Sequence, residues 1–474
     1  MCPVVFAAYC SHVKQVLKSD RLAARQAFFL AMTSLRTARG LFIEDQDMTT
    51  VVEARLGTTE AWAATPVVRV ALAGCGAVGS ALLHEIESRR ASLERRHGRR
   101  LQLTGVLVRD VAKRRGVAVD RSLLTASVDE FLGADADVVI EAIGGIEPAR
   151  RIAEWALTNG RELITANKEL LAAHGTRLHE LACRHGGTLR YDAAVGGGVP
   201  VLRLLDDALG AGTPERVCGI LNGTTNYVLG RLERGESLDT ALRAARAAGF
   251  AEEDASRDLD GRDAAAKIAL VAWAAYGVAP EGAAIARRSL LPDPERYVRL
   301  AKRHGGVVRQ VAECGLVDGG VTAVVEPVIV ARDSALGRAR DEQNHVEVHT
   351  GWSTPLSASG PGAGGTPTAT ALLADFICTA RTPERRASAH RSSVDDRPGN
   401  WAVEVNGSPL LLHRAVRGCG LVHTDHDASS SWTVARDITR DQVEVLLATL
   451  HAQGDDAIAA RLDDELLAQW ETVQ

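Results

Sequence analysis

The chain has 474 residues, 46% hydrophobic and 24% charged, the composition of an ordinary soluble globular protein of two or three domains. Its net charge of −5 gives no reason to expect nucleic acid or an anionic membrane as a partner. The eight cysteines form no CxxC pair or close Cys/His cluster in the sequence. We therefore expect neither structural zinc nor a disulfide framework, and a cytoplasmic location fits best.

Residues 1–65 form the N-terminal extension in our domain prediction, with a helical pattern over Val13–Leu35. The start of the chain lacks the basic residues and the cleavage context of a secretory signal. Met48 stands shortly before the first predicted strand, and one hypothesis is that the natural chain begins there. No apolar run approaches the roughly 18 residues that a membrane span requires.

Strands and helices alternate over residues 66–190. The predicted strands are Val68–Leu72, Leu101–Val108, Asp137–Glu141 and Glu162–Thr165. This alternation predicts an α/β fold whose first domain is a doubly wound, mostly parallel Rossmann domain.

A glycine-rich segment joins the first predicted strand to a helix expected over Ser80–Ile86. Its GxGxxG spacing is made by three glycines with two residues inside it: Gly74, Gly76, Gly79, Ala77 and Val78. This spacing permits a tight turn, close backbone approach to a pyrophosphate and close helix–strand packing. We therefore predict a dinucleotide site, with the diphosphate on the helix N-terminus. A plain structural turn is the alternative.

Arg109 and Lys113 follow the second predicted strand, in VLVRDVAKRR. At this place a dinucleotide fold reads the adenine ribose, where an acidic residue favours the 2′-hydroxyl and a basic one the 2′-phosphate. Together with Arg114, these residues favour NADP(H), while Asp110 keeps NAD(H) open. A solvated, basic helix start is the alternative interpretation.

At Thr188–Pro200 the pattern changes to a run that ends in glycines and is followed by alternating strands and long helices, which predicts a second, α+β domain over 191–380. The polar, Arg-rich stretch at 381–400 is typical of a linker. Residues 381–474 form a small C-terminal extension in this prediction. Its expected elements are two strands and a helix, at Trp401–Val405, Pro409–His413 and Arg440–Ala452.

Five carboxylates crowd the segment before a predicted helix that opens near Asp263: Glu252, Glu253, Asp254, Asp258 and Asp260. Lys267 lies one turn beyond Asp263 on the same face. Lys168 follows the strand Glu162–Thr165, at the sheet edge where open α/β folds bind ligands, although a surface lysine also fits. Carboxylates and a lysine in one cleft would suit an amino-acid substrate, with its ammonium and a reacting oxygen. The alternative is an acidic loop that caps a helix beside an ordinary surface pair.

Eight sequence blocks over residues 67 to about 378 resemble homoserine dehydrogenases and follow the order of that family. They are the glycine loop, VLVRDVAKRR, EAIGGIEPAR, ITANKELLAAHG, YDAAVGGGVPVL, GILNGTTNYVL, the acidic block with Lys267, and SGPGAGGTPTATALLADF. A shared Rossmann fold explains only the first two or three of these blocks.

The resemblance implies reversible reduction of aspartate β-semialdehyde to homoserine with NAD(P)H, in a homodimer. It also implies that the second domain carries the substrate site and the dimer contacts. It implies that Lys267 donates the proton to the aldehyde oxygen, with Asp263 beside it and Lys168 near the nicotinamide. The implied substrate contacts are Glu252 for the ammonium, with Asp258, Gly223 and Thr224. The further implied cofactor contacts are Gly144, Gly249, Gly362 and Ala363.

The resemblance also implies a sodium-type cation site made largely of backbone carbonyls. Its positions are Asp192, Val195, Gly197 and Val199, and a glutamate is usual where Asp192 stands. Prolines are usual at Glu253 and Ala255 and a tyrosine at Phe250, so the acidic loop is expected to be more flexible. The likeness ends near residue 378, and DRPG at 396–399 lacks the flanking elements of a threonine-sensing ACT domain.

Two other interpretations stay open at this point. A relative that acts on another β-semialdehyde or amino alcohol in specialised metabolism would fit the altered acidic loop and the unusual tail. A catalytically silent nucleotide-binding protein is the second, and the presence of Lys168, Asp263 and Lys267 argues against it.

Overall fold

The computed structural model describes residues 66–473 except 99, 118, 211, 280–282, 352–353, 379–391, 394–396, 407–411, 413–419 and 427–429. The predicted N-terminal helix, the hypothesis on Met48 and nearly all of the predicted strand Pro409–His413 lie outside the described residues. Of the helices in the described part of the chain, none is long and apolar enough to cross a bilayer.

The first sheet contains six strands: β1 (Val67–Ala73), β2 (Arg100–Leu107), β3 (Leu124–Thr125), β4 (Val138–Glu141), β5 (Glu162–Thr165) and β6 (Thr188–Arg190). All pair in parallel, in the order β3-β2-β1-β4-β5-β6. Its helices are α1 (Ala77–His97), α2 (Val128–Leu132), α3 (Ala149–Thr158) and α4 (Lys168–His185). This strand order is that of a Rossmann fold, with a crevice where the order reverses beside β1.

The second sheet is mixed and contains eleven strands: β7 (Arg216–Ile220), β8 (Ile285–Arg287), β9 (Val307–Val317), β10 (Gly320–Val330), β11 (Gln343–His349), β12 (Leu356–Pro361), β13 (Ser392–Ser393), β14 (Gly399–Val405), β15 (Gly420–His426), β16 (Ser431–Ile438) and β17 (Ala457–Leu462). Its main path is β12-β11-β7-β9-β10-β17-β14-β16-β15, while β8 and β13 also pair with β10. The pair of β17 and β10 is parallel, so residues 399–462 continue this sheet.

The remaining helices are α5 (Val201–Leu209), α6 (Gly223–Glu233), α7 (Leu238–Ala247), α8 (Ser256–Leu259), α9 (Arg262–Tyr276), α10 (Pro294–Arg303), α11 (Ala335–Arg338), α12 (Gly365–Ile377), α13 (Arg440–Ala452) and α14 (Asp464–Val473). Helix α9 is apolar on most of its surface, as a helix packed on several sides must be. It contacts β9 and β10 on one side and α4 on the other. This position brings the side chains of its first turns to the edge of the first sheet.

Helix α12 returns to the first sheet. Ala369, Leu372 and Phe376 share a buried cluster with Leu72 of β1 and Leu82 of α1. The segment before α12 is thereby held over the glycine loop, where the Ala77 carbonyl oxygen lies 3.1 Å from the Cβ position of Gly365.

The predicted fold class is confirmed: a parallel Rossmann sheet precedes a mixed sheet with helices. Strand Glu162–Thr165 and helix Arg440–Ala452 have the predicted bounds. The other three strands predicted for the first sheet begin and end within one residue of their predicted bounds. The helix expected over Ser80–Ile86 is longer, and it ends where Gly98 adopts a left-handed conformation. The predicted domain boundaries stay a prediction.

Candidate active site

A cleft of 420 Å³ opens at the carboxyl ends of β4 and β5. The loops after these two strands form one wall, and the segments 193–197 and 362–368 form another. The predicted site residues that line it are Val78, Gly144, Lys168, Val195, Gly197, Lys267, Gly362 and Ala363. Because open α/β sheets bind ligands at this edge, the cleft is the candidate active site.

The three glycines of the first loop differ in what surrounds them. A Cβ on Gly74 would lie 2.6 Å from the Ala142 carbonyl oxygen, and one on Gly79 would lie 2.0 Å from the Gly74 carbonyl oxygen. Gly76 has no neighbour within 4 Å of that position. Gly74 and Gly79 are therefore required by backbone packing, while Gly76 leaves the open space that a pyrophosphate needs.

Ala77 and Val78 form the first turn of α1. Backbone N–H groups in a first turn have no partner within the helix, and together with the helix dipole they favour an anion. The loop and helix start thus fit the phosphates of a dinucleotide.

Sequence reasoning missed Glu141, which holds the loop at the cleft. The carboxylate ends β4 fully buried, and it accepts hydrogen bonds from the N–H groups of Ile143, at 2.7 Å, and Gly144, at 3.3 Å. The Thr165 hydroxyl donates to its other oxygen. Gly144 has φ +78° and nothing within 4 Å of its Cβ position, so the loop presents open backbone to the cleft. Burial raises the pKa of Glu141 above its ordinary value.

Two lysines from different elements share one carboxylate beside the cleft. Lys168 begins α4, and its Nζ forms an ion pair with Asp263 Oδ1. Lys267 Nζ lies 2.9 Å from Asp263 Oδ2 and donates a 2.8 Å hydrogen bond to the Leu221 carbonyl oxygen. The side chains of Asp263 and Lys267 are each 11% exposed, so this is not the ordinary surface pair of the alternative interpretation.

Asn222 links two acidic residues, a role that sequence reasoning did not find. Its side-chain nitrogen donates to Asp258 Oδ1 at 2.7 Å and to Asp263 Oδ2 at 2.8 Å. Its side-chain oxygen accepts from the Thr225 N–H at 2.8 Å, which caps α6. We call Lys168, Asn222, Asp258, Asp263 and Lys267 the Asp263 cluster.

The pKa values of the two carboxylates in the Asp263 cluster are shifted in opposite directions. Burial acts to raise the pKa of Asp263, but the charges of Lys267 and Lys168 outweigh it and hold the pKa well below the ordinary value. Burial raises the pKa of Asp258, and the nearby Asp263 charge adds to that effect. Asp263 is therefore a fixed anion that orients two ammonium groups.

The other predicted substrate residues lie around this cluster. Gly223 begins α6, and a Cβ there would lie 2.5 Å from the Glu342 carbonyl oxygen. The Thr224 hydroxyl donates to the Phe250 carbonyl oxygen, which ties the loop at 249–251 to α6. Glu252 is exposed, and the structure does not bring its carboxylate into the cluster. Gly249 has φ +77° with open space around it, outside the cleft lining.

Arg109 and Lys113 are exposed and lie just beyond β2. The strand end is next to the glycine loop, because the Gly74 N–H donates to the Leu107 carbonyl oxygen at 2.9 Å. Neither basic side chain forms an ion pair with a carboxylate in the described part of the chain. Both therefore stay available to an added anion.

The four residues of the predicted cation site share one tight, buried loop between 192 and 199, in which Gly197 has φ +60°. The Asp192 carboxylate accepts from the Leu202 N–H at 2.9 Å and pairs with Arg203 at 3.0 Å. A loop of this kind can offer the carbonyl oxygens of Val195 and Val199 to a monovalent cation, but the carboxylate of Asp192 already has partners.

Comparisons with known proteins agree with this geometry. The model for the NAD-binding domain of homoserine dehydrogenase matches residues 74–192, and the homoserine dehydrogenase model matches residues 200–377. A homoserine dehydrogenase of Mycobacterium leprae is 38% identical over 321 residues, which are 66% of this chain and 72% of that protein.

Solved structures extend the likeness beyond the sequence matches. A homoserine dehydrogenase from Thiobacillus denitrificans superimposes with a TM-score of 0.76 at 25% identity, over 84% of this chain and 98% of that one. One from S. aureus gives a TM-score of 0.67 at 26% identity, over 84% and 99%. These matches agree with the open glycine loop and the lysine pair on a buried carboxylate. They show that the chain belongs to the homoserine dehydrogenase family of NAD(P)-dependent oxidoreductases.

Proposed function

We propose that the chain reduces L-aspartate 4-semialdehyde to L-homoserine, with Lys267 as the group that protonates the aldehyde oxygen. The observation that carries this proposal is the sharing of Asp263 by Lys267 and Lys168 beside the cleft. A fixed anion orients both ammonium groups, and an oriented ammonium is both a proton donor and a stabiliser of developing negative charge.

Each lysine has a distinct part in this proposal. Lys267 is held at two points, by Asp263 and by the Leu221 carbonyl, which leaves its third proton for the substrate oxygen. Lys168 is more open, with its side chain 33% exposed, and lines the cleft near the Gly144 loop. It would stabilise charge beside the reacting carbon. When bound, the nicotinamide supplies the hydride.

The substrate ammonium would bind on the acidic side of the cluster. Asp258 is the carboxylate next to Asp263 and keeps one oxygen for a ligand, since Asn222 donates to the other. We retain Glu252 as a second ligand of the ammonium, which requires its exposed carboxylate to turn toward Asp258. Gly223 and Thr224 would contact the substrate from the start of α6.

For the cofactor, we propose NADP(H) over NAD(H). Arg109 and Lys113 are exposed cations that follow the end of β2 and form no ion pair with the described residues, and a 2′-phosphate would form charge-assisted hydrogen bonds with them. Asp110 leaves NAD(H) as a weaker cofactor. Gly249, Gly362 and Ala363 would complete the cofactor contacts.

Further expectations about the bound ion, the location, the oligomeric state and the pathway accompany the proposal. The 192–199 loop would bind a sodium-type ion through carbonyl oxygens, the protein would be a cytoplasmic homodimer, and its product would feed the synthesis of threonine and methionine. Sedimentation of the purified chain checks the dimer. Activity measured in sodium and in choline salts at equal ionic strength checks the cation.

The deciding experiment is NADPH oxidation with L-aspartate 4-semialdehyde by the purified protein and by Lys267→Ala. Loss of a positioned proton donor is expected to lower kcat by about a hundredfold or more, with NADPH binding retained. Lys302→Ala is the matched control, because Lys302 is an exposed lysine on α10. No turnover by the unmodified protein, or full turnover by Lys267→Ala, would contradict the proposal, and a panel of other semialdehydes would then follow.

A further inference from the structure

Three side chains with metal-binding chemistry meet on one face of the second sheet, away from α9. Cys218 on β7 stands directly opposite Glu347 on β11, and His349 follows Glu347 by two residues. Side chains at opposed positions, and at alternate positions along a strand, lie on the same face of a sheet. One ligand atom from each lies within 4.8 Å of the other two.

The separations match the edges of a tetrahedral metal site. Cys218 Sγ lies 3.8 Å from His349 Nε2, and His349 Nε2 lies 3.3 Å from Glu347 Oε2. Bonds of about 2.3 Å to sulfur and about 2.0–2.1 Å to nitrogen and oxygen give edges of about 3.6 Å between sulfur and nitrogen and about 3.3 Å between nitrogen and oxygen. Two of the three edges are thus close to those of one shared ion, and the third, from Cys218 Sγ to Glu347, is within 4.8 Å.

A second layer of hydrogen bonds holds the carboxylate in place. His345 Nε2 lies 3.0 Å from Glu347 Oε1, the oxygen that faces away from His349, and its Nδ1 lies 2.6 Å from the Ser359 hydroxyl. Ligating carboxylates are commonly fixed by such outer partners. The site is also reachable, since the His349 side chain is 30% exposed while Cys218 is buried.

We propose that Cys218, Glu347 and His349 bind a zinc ion that joins β7 to β11, with a fourth position open to solvent. A thiolate, an imidazole and a carboxylate are ligands that zinc accepts together, and the thiolate and carboxylate charges balance those of a divalent ion. His345 acts as a positioning residue for Glu347. No local sequence pattern points to this site, because the cysteine and the histidine are separated by 131 positions.

The ion would also change the state of the thiol. A coordinated thiol is deprotonated by the charge of the metal itself. The role of the zinc ion in this proposal is structural. It would fix β7, which leads to Leu221, and the Leu221 carbonyl oxygen accepts a hydrogen bond from Lys267.

The test uses the full chain, freed of metal with a chelator and then titrated with zinc alone or with cobalt as a spectroscopic substitute. We expect one zinc per chain and, with cobalt, a sulfur-to-metal charge-transfer band. Cys218→Ser and His349→Ala are each expected to lower zinc affinity by more than about tenfold, and Cys218→Ser to abolish the band. His345→Ala is expected to weaken zinc by about tenfold and to keep the band.

Cys183→Ser is the matched control, because Cys183 is an exposed cysteine 3.5 Å from His179 with no assigned metal role. It is expected to leave the affinity and the band unchanged. No zinc retained by the unmodified protein, no charge-transfer band, or a band that survives Cys218→Ser would overturn the proposal. If Cys218→Ser fails to fold, the unmodified spectrum and the more exposed His349→Ala decide.

Discussion

Asn222 offers a sharp test of the Asp263 cluster, because one side chain both caps a helix and bridges two carboxylates. Asn222→Ala removes the cap of α6, worth about 1 kcal/mol. It also removes hydrogen bonds to two charged groups, each worth about 1.5–3 kcal/mol. Asp263 keeps its two lysines, so the main loss falls on Asp258, and we expect the free energy of unfolding to fall by about 3–4 kcal/mol.

Asn222→Ser separates the two roles. Serine caps a helix about as well as asparagine, but its hydroxyl is too short to reach carboxylates that lie 2.7 and 2.8 Å beyond the amide nitrogen. We expect this variant to regain about 1 kcal/mol of stability over the alanine variant. Its catalysis is expected to stay low, because the Asp263 carboxylate loses the amide that fixes its orientation between the two lysines.

Catalysis and stability are measured on the same preparations. NADPH oxidation with L-aspartate 4-semialdehyde is expected to show a loss of about 10- to 100-fold in kcat, equal to about 1.4–2.7 kcal/mol, with a smaller change in KM. Urea unfolding reports stability. Asn159→Ser, an exposed asparagine at the end of α3, is the control. If Asn222→Ser keeps the unmodified kcat, the amide does not position Asp263 and the reasoning fails.

Three further sets of changes test the Glu141 loop, the basic residues beyond β2, and Asp375 of α12, a buried carboxylate that accepts a hydrogen bond from the Asp192 N–H. Glu141→Ala leaves two backbone N–H groups without their acceptor and is expected to raise the KM for NADPH by about tenfold. Glu141→Gln keeps an acceptor, and its KM for NADPH is expected to stay within about twofold of the unmodified value. Equal KM values for the two variants would count against a role of Glu141 in holding the loop. Arg109→Ser is expected to raise the KM for NADPH by about tenfold and to leave that for NADH unchanged, with Lys113→Ser acting in the same direction; a parallel rise with both cofactors would exclude the 2′-phosphate contact. Burial and the neighbouring Asp192 raise the pKa of Asp375 from 3.8 to about 7, so the folded protein binds the proton more tightly and stability falls as pH rises between these values. Asp375→Asn is expected to flatten that fall in urea unfolding at pH 5 and pH 8, and unchanged slopes would refute the assignment.

The fold and the cofactor loop could be read from the sequence because their signals are local. Four buried strands and a GxGxxG turn can be recognised within runs of a few residues. In the structure, backbone atoms lie close to Gly74 and Gly79, and the space beside Gly76 is open. Lys267 and Asp263 were also visible, since one helical turn separates them.

The residues that were missed depend on contacts between distant segments. The partners of Asn222 lie 36 and 41 positions away, on α8 and α9, so no local pattern marks its role. Glu141 was read as the end of a buried strand, although a charged group at 0% exposure requires partners of its own. A charged residue in a strand predicted to be buried was the one sequence signal that pointed to a role for Glu141. The exposed position of Glu252 could not be foreseen, because the spacing of acids along a loop does not determine which of them faces the cleft.

The arrangement of the two sheets limits how the site can close. Lys168 belongs to α4 and Asp263 to α9, and these helices pack against each other, while α12 is buried on α1 and β1. A hinge between the sheets would break the ion pair and expose this packing, at a cost of several kcal/mol in lost apolar burial. The loop at 249–255 is held by hydrogen bonds to its carbonyl oxygens, from Thr224 to Phe250 and from Arg246 to Glu252 and Glu253. Its acidic side chains Glu252, Glu253 and Asp254 are exposed, so its movement removes less apolar surface from contact than a hinge between the sheets. We therefore expect substrate to be enclosed by movement of this loop over a fixed lysine pair, which also gives Glu252 its route to the ammonium.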